Sequence, residues 1–378
     1  MNEVYLTGRG LASALGPDLE SAVASLAQGG VAPKPFTLAD GSAWPYFGIA
    51  EEESDSDWTA RARRIVQRVA AESGALAGER RGPLFVASSS LDIGLLEDHI
   101  EAYREYPSFA ETVATWLDWR GPVFTVSTAC TSALNALLSA RTLIRHGRTD
   151  NALVLGLELR NRVTVGGFGG MQLLSPTQAL PFGAQRNGLV LGEAVAALYL
   201  SSRAARWRIA GGANVVDGRD PAGTVPSAVI AMCQQALADS GLQANDIALI
   251  KPQAAGGMSS DAIEASALRQ AFDPLPALVS LKAAIGHTLG ASGAAELALL
   301  MACLEANVWP QIGYPQDAAL NAPLAALAPL RIHHLMATIL GFGGGHAAVV
   351  MEDRDACSVQ RNCANLHNSS SANDACIA

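Results

Sequence analysis

Apolar and polar residues alternate along this chain on two length scales. Short apolar runs, VYLTG, PLFVASSS, VFTVST, ALVLGLE, VAALYL, WRIAGG, IALIKP, ALVSLK and HAAVVME, are separated by longer stretches with helical spacing. Runs of strand length with no polar face suit strands buried on both sides. The pattern therefore predicts an α/β fold whose sheet is covered by helices on both faces.

The pattern also repeats. VYLTGRGLASALG near the start resembles WRIAGGANVVDG at Trp207–Gly218; in each, a strand runs into a glycine-rich turn. VFTVSTACTSALNALLSARTLIRHG resembles ALVSLKAAIGHTLGASGAAELALLMACLEAN, where a strand ends in small residues before a helix. A two-fold duplication accounts for 378 residues better than two unrelated domains do. The halves read as 1–205, carrying Cys130, and 206–353, carrying His287. Residues 354–378 are polar, include NSSSAND, and read as a disordered tail.

The duplicated turns hold the candidate chemistry. After VFTVST, Leu134, Leu137, Leu138 and Ile144 form one helical stripe, and Gly147 fits a C-cap. Cys130 falls at the start of that helix, where unpaired N–H groups and the helix dipole favour an anion. Two readings stand side by side: a small buried residue packing the turn, or an acidified nucleophile whose neighbouring N–H groups hold an oxyanion. In the second half His287 sits between Gly286 and Thr288, with Lys282 five residues earlier. GHTLGASG is too rich in glycine for a helix interior, so the backbone there must pass close to something. The pseudo-symmetric positions of Cys130 and His287 suggest a nucleophile–histidine arrangement. The loop LGFGGGHAAVV lacks a following Walker Lys-Ser/Thr, and no GxGxxG opens a helix, which argues against nucleotide binding.

Composition narrows the function classes. Hydrophobic residues make up 49% and charged residues 16%, which allows a large core and disfavours disorder. A net charge of −9 without a long basic run argues against a nucleic-acid partner. No window reaches the ~18 apolar residues of a membrane span, and MNEVYLTGRG has no secretory-leader pattern, so a soluble, cytoplasmic protein is expected. Cys130, Cys233 and Cys303 lie far apart in apolar contexts and read as thiols. Cys357, Cys363, Cys376 and His367 in the tail match no zinc spacing, and no metal is expected.

STACTSALNAL around Cys130, LKAAIGHTLGASGAAE around His287 and GFGGG around Phe342 together resemble the β-ketoacyl-acyl-carrier-protein synthases of the thiolase superfamily. PFGAQRNGLVLGEA, with Arg186, Gly188, Gly192 and Glu193, and GGFGGMQLLS resemble the same family, so the likeness runs in order over about residues 3–352. The resemblance implies the duplicated, five-layered αβαβα thiolase fold, usually as a dimer. It implies a decarboxylative Claisen condensation, with substrates carried on the phosphopantetheine of acyl carrier protein and no bound cofactor. Carried over by motif, Cys130 is the nucleophile, and the N–H groups of Cys130 and Phe342 form the oxyanion hole. His287 polarises the malonyl thioester carbonyl, Lys282 supports the site electrostatically, and Phe342 gates the pocket.

This chain departs from the family in two places. In KPQAAGGMSSDAIEA, Asp261 and Glu264 match the end of the family's second histidine motif, but Gln253 stands on the histidine position, with Ala254 and Ala255 after it. A glutamine can donate a hydrogen bond and cannot titrate. After GFGG the chain has Gly345-His346 where the family has Thr-Asn, and His346 is a candidate for returning an imidazole to the pocket. Two function classes follow: a chain-length-factor-like subunit paired with a homologous, complete ketosynthase in fatty acid, polyketide or aryl-polyene synthesis, which is the favoured reading, or an independently active synthase with a Cys-His-Gln site, self-paired. A thiolase fits less well, because its second cysteine is missing from GFGGGHAAVV.

The remaining features read as structural. His333 and His334 in RIHHLMATI flank an edge strand, His99 and His146 lie on helix surfaces, and EEESDSD at Glu51–Asp57 is a solvated acidic loop away from the carrier-protein docking face. Arg141 and Arg145 on the Cys130 helix take no assigned role.

Overall fold

The structure, a computed structural model, describes residues 1–52, 57–99, 108–219 and 223–356. The first half contributes β1 (Tyr5–Ser13), β2 (Lys34–Thr37), β3 (Ala43–Phe47), β4 (Leu84–Ala87), β5 (Val123–Val126), β6 (Asn151–Glu158), β7 (Leu191–Gly192) and β8 (Ala194–Ser201). The second contributes β9 (Trp207–Val216), β10 (Leu249–Lys251), β11 (Ala277–Leu278), β12 (His334–Leu340) and β13 (Gly345–Asp353). The helices are α1 (Leu19–Ala27), α2 (Trp58–Glu72), α3 (Ile93–His99), α4 (Phe109–Trp116), α5 (Ser132–Arg145), α6 (Arg162–Gly170), α7 (Pro226–Ser240), α8 (Met258–Ala271), α9 (Lys282–Ile285) and α10 (Ser292–Glu305).

Ten strands run in the order β11-β10-β12-β13-β9-β1-β8-β6-β4-β5. Each half repeats one plan. The first strand pairs antiparallel with the last, the last antiparallel with the fourth, and the fourth, second and third run parallel. The two half-sheets meet only where β1 touches β9, at Tyr5↔Arg208 and Leu6↔Trp207. Helices hold them together. α5 packs on β4, β6 and β8 and also on β9 and β13, while α10 packs on β1, β6 and β8 and also on β12.

Period-two alternation in the strands feeds three cores. Phe85 and Ala87 of β4 join the central core with α5 and α10, whereas Leu84 and Val86 face α2 and α4. In β13, Ala347, Val349 and Met351 face the centre, and Ala348 and Val350 face the outer core with α7 and α8. The result is helix, sheet, helix, sheet, helix, the five-layered αβαβα arrangement. α10 is buried on nearly every side because it fills the middle layer, so between Ser292 and Glu305 at its two ends SGAAELALLMACLE is apolar all round except for Glu296.

Strand positions differ from expectation in two respects. The RIHHLMATI strand is not at an edge. β12 pairs with β10 on one side and β13 on the other, and every residue of it is buried. The small sheet β2-β3-β7 has no counterpart in the predicted runs, because KPFT and AWPYF are short and prolines interrupt them. Of the acidic run, residues 53–56 lie outside the described residues; Glu51 pairs with Arg160, and Glu52 with Arg64 and Arg68. The tail from 357 onward, with its three cysteines and His367, also lies outside them. His146 is exposed at the end of α5, and the side chain of His99 is outside the described part.

Gly147 ends α5 as its sequence position suggests. It has φ +66, its N–H donates to Ile144 O, and Arg148 N donates to Leu143 O, closing the helix with two reversed bonds. A Cβ at Gly147 would meet nothing within 4 Å. Gly147→Ala is therefore expected to cost only the left-handed backbone penalty, about 1–2 kcal/mol, read as a lower urea midpoint with an unchanged slope. A neutral result would mean that the cap contributes nothing.

Candidate active site

The STACTS turn is tied together by its own hydroxyls. Ser132 Oγ donates to Ala129 O at 2.6 Å and accepts from Thr128 N at 2.9 Å, and Thr131 Oγ1 donates to Thr128 O at 2.7 Å. These bonds hold Ala129 at φ +52 and bring Cys130 to the mouth of α5. Strained non-glycine residues also sit beside the other two site segments, Ala254 at φ +24 next to Gln253 and Leu289 at φ +45 after His287. Each costs on the order of 1–3 kcal/mol and persists only because its surroundings fix it.

The turn brings Cys130 Sγ to 3.1 Å from His287 Nε2. His287 Nδ1 lies 3.1 Å from Ser292 Oγ, which lies 3.2 Å from Thr288 Oγ1. The tautomer that satisfies all three has Nδ1–H donating to Ser292 and Nε2 accepting from the thiol. The Val190–Gly192 segment fixes the His287 backbone, because His287 N donates to Val190 O at 2.7 Å and Gly192 N donates to His287 O at 3.1 Å. Gly192 cannot be larger: its Cβ would stand 2.2 Å from Ile285 O.

Electrostatics make this a neutral pair at rest. Burial pushes the Cys130 thiol up to about 11, against the pull of Lys282 and of the Phe342 N–H. Burial also holds His287 well below the ordinary imidazole value, and the ammoniums of Lys282 and Lys251 push the same way. The Phe342 N–H and the Cys130 N–H both act on the sulfur. They come from the Gly341–Gly345 loop and the α5 turn, and a Cβ on Gly341 would lie 3.5 Å from Cys130 N. The Phe342 ring stacks on Phe168 of α6 at 5.6 Å. Such a site can pass a thiol proton to a neutral imidazole as sulfur attacks a carbonyl carbon, with two N–H groups to receive the oxyanion.

Beneath the pair lies a buried charge cluster. Lys282, the first residue of α9, donates to Glu296 Oε1, and Lys251, the last residue of β10, lies 2.9 Å from Glu296 Oε2. All three side chains are essentially unexposed. Lys251 and Glu296 were not among the residues expected from sequence. Their signal was there: each is a lone charge in an apolar segment, IALIKP and AELALLMA, and a lone buried charge requires a partner. Glu158, also missed, is buried and accepts from Ser88 Oγ at 3.1 Å, from Ser90 N at 3.3 Å and from Ser89 N.

Gln253 follows Lys251 by two residues and is buried. Its Oε1 has no hydrogen-bond partner among the described residues. The loop around it is held by carboxylates: Glu264 accepts from Gln253 N and Ala254 N, both at 2.7 Å, and Asp261 accepts from Ala255 N at 3.1 Å and from Phe182 N at 2.9 Å. Burial raises Glu264 to about 7 and Asp261 to about 6. The PFGAQRNGLVLGEA segment braces the same loop. Gly188 N donates to Gly256 O at 3.1 Å; farther from the loop, Arg186 pairs with Asp317 at 2.6 Å and Glu193 with Arg61 at 2.7 Å.

His346 does not return an imidazole to Cys130. In register it stands opposite Leu340 and Val215, both part of the outer core with α7 and α8. Cys130 belongs to the central core, on the other face of that sheet. One residue of strand register decides this, because successive side chains point to opposite faces. His333 and His334 lie with Glu352, whose Oε2 is held by Arg208. Arg141, left unassigned from sequence, holds Asp239 at 2.7 Å and Ala210 O at 2.9 Å.

Comparison with known proteins supplies the family. The family model "Beta-ketoacyl synthase, N-terminal domain" matches residues 103–205, and "Beta-ketoacyl synthase, C-terminal domain" matches 208–313. The compactin diketide synthase mlcB of Penicillium citrinum is 30% identical over 275 residues, which are 65% of this chain and 11% of that protein. This chain thus spans about a tenth of the length of that relative. Nodulation protein E of Rhizobium sp. (strain N33) is 34% identical over 221 residues, 54% of each chain. Among solved structures, the ketosynthase ApeO in complex with its chain length factor ApeC, from Xenorhabdus doucetiae, superposes with a TM-score of 0.81 at 25% identity, covering 93% of this chain and 98% of that one. With a duplicated five-layer fold, a cysteine–histidine pair across its two halves and both family models matched in order, the chain belongs to the β-ketoacyl synthase family.

Proposed function

We propose that this chain accepts an acyl group from a carrier-protein thioester onto Cys130 and takes part in its decarboxylative condensation with a malonyl unit. The observation that carries the reading is the 3.1 Å contact between Cys130 Sγ and a His287 whose other nitrogen is already engaged with Ser292. In acyl transfer the S–H proton passes to Nε2 as the S–C bond forms, and the departing phosphopantetheine thiolate takes up a proton. In condensation the malonyl thioester loses CO2, its carbanion bonds to the acyl carbon, and the Cys130 C–S bond breaks to return the thiolate. The N–H groups of Cys130 and Phe342 receive the oxyanion in both steps. Gln253 donates its amide N–H to the malonyl carbonyl, a role that needs no titration. Substrates arrive on the phosphopantetheine of acyl carrier protein, and no bound cofactor is required. The setting is cytoplasmic fatty acid, polyketide or aryl-polyene synthesis; none of the described helices is long and apolar enough to cross a membrane.

A second reading, the chain-length-factor-like subunit, is favoured by Gln253 and by an unpartnered edge. Among the described residues β5 pairs only with β4, and Phe124 is 44% exposed above a groove of about 580 Å³ shared with Leu138, Asn135 and Asn214. An apolar open edge of this kind supports pairing with a second subunit, either a complete ketosynthase or another copy.

Intact-mass spectrometry separates the readings. The purified chain is incubated with acyl carrier protein thioester, then with malonyl carrier protein, alone and beside a complete ketosynthase. A mass gain on the chain alone, absent in Cys130→Ala, is the expected result, followed by condensed product. Product only beside the ketosynthase, with no mass gain here, would replace the first reading with the second.

A further inference from the structure

Glu296 serves two ammonium groups with one carboxylate. Lys251 Nζ lies 2.9 Å from Oε2, Lys282 Nζ is on Oε1, and none of the three side chains is more than 1% exposed. A buried ion pair is ordinarily one to one, because each uncompensated charge in the interior is costly. Here Lys282 alone satisfies Glu296, and Lys251 adds a second cation at the end of β10, two residues before Gln253.

We propose that Lys251 is a positioning residue for the Cys130–His287 pair: by sharing Glu296 with Lys282 it leaves an uncompensated positive charge beneath them, in a site whose loop residue, Gln253, carries none. The charge acts through space. Interior fields are weakly screened: at an effective dielectric of about 20 a unit charge ~10 Å away shifts a buried group by about one pH unit, and His287 feels the Lys251 ammonium. It favours the thiolate of Cys130 and disfavours a protonated His287, leaving Nε2 open to accept the thiol proton.

The groups that share this field can be named. Lys282 and Glu158 act on Cys130, Lys282 and Lys251 act on His287, and Lys251 itself feels Glu296, Lys282 and Glu264. Burial lowers Lys251 to about 8, so the charge is present at neutral pH and fades above that. Removing the ammonium at position 251 leaves Lys282 and Glu296 as a one-to-one pair, which is why a neutral variant should fold.

The inference deepens the reading of Cys130 as acyl acceptor, and it is tested without any carrier protein. The rate of iodoacetamide alkylation at Cys130 is followed from pH 6 to 10 by peptide-resolved mass spectrometry, which separates it from the other cysteines. Below about pH 8 Lys251→Met is expected to react roughly tenfold more slowly than wild type, the two curves converging at higher pH as Lys251 itself loses its proton, whereas Lys251→Arg keeps the wild-type rate at neutral pH. Circular dichroism checks folding, and Lys251→Gln replaces the methionine variant if that one fails to fold. Superimposable profiles for wild type and the neutral variant overturn the proposal. If the profile shifts while no carrier thioester ever acylates the chain, Lys251 keeps its role and the proposed acyl transfer falls. If acylation proceeds and the profile does not move, the reverse holds.

Discussion

Glu296→Gln is expected to be the most destabilising single substitution in the site, by about 3–5 kcal/mol. The change keeps the side-chain volume and removes the carboxylate that, among the described residues, Lys251 and Lys282 share. Among the described residues two ammoniums would then remain in the middle of the molecule with no carboxylate bonded to either, and the new amide would turn its own N–H₂ toward one of them. Chemical denaturation followed by circular dichroism gives the number. Adding Lys251→Met should recover part of the loss, because it removes one orphaned cation; coupled neighbours are where additivity fails. A loss under about 1 kcal/mol, or a double variant worse than the single, would mean that the three charges do not form one unit.

His287→Ala is expected to slow acylation of Cys130 by about 10²–10⁴-fold, the range for a lost proton acceptor. The thiol is pushed up to about 11 by burial, so at neutral pH almost none of it ionises without help. The imidazole 3.1 Å away is held neutral by that same burial, so it accepts a proton at the moment of attack and not before. The time course of the mass gain, with folding checked separately, measures the effect. A rate within threefold of wild type would show that Cys130 uses another base or none. The two predictions are distinct in kind: Glu296 holds the charges in place, and His287 moves a proton.

Much of this site can be read in the chain because its parts are local. STACTS, GHTLGASG and GFGGG each place small residues where backbone must come close, so local sequence makes Cys130 and His287 candidates, and the family resemblance carried by the same motifs adds Phe342. The misplaced residues depend on pairing across the sheet. RIHHLMATI looks like a strand from its own residues, but its interior position comes from β10, where Leu249 stands opposite Leu335, 86 residues further along the chain. His346 looks near the glycine loop in sequence, yet its register against Leu340 and Val215 turns it to the far face. Lys251 and Glu296 meet across 45 positions, a distance no local pattern spans.

The loop after β10 is gripped through its main chain. Glu264 takes the N–H groups of residues 253 and 254, Asp261 those of 255 and 256, and Ser280 donates to Ala254 O. None of these bonds uses the side chain at 253. The position therefore behaves as an interchangeable fitting on a fixed mount. A lineage can alter the chemistry offered there in a single codon without re-forming the loop, and an engineer can do the same. The chemistry offered at position 253 can therefore change while the fold beneath it stays put.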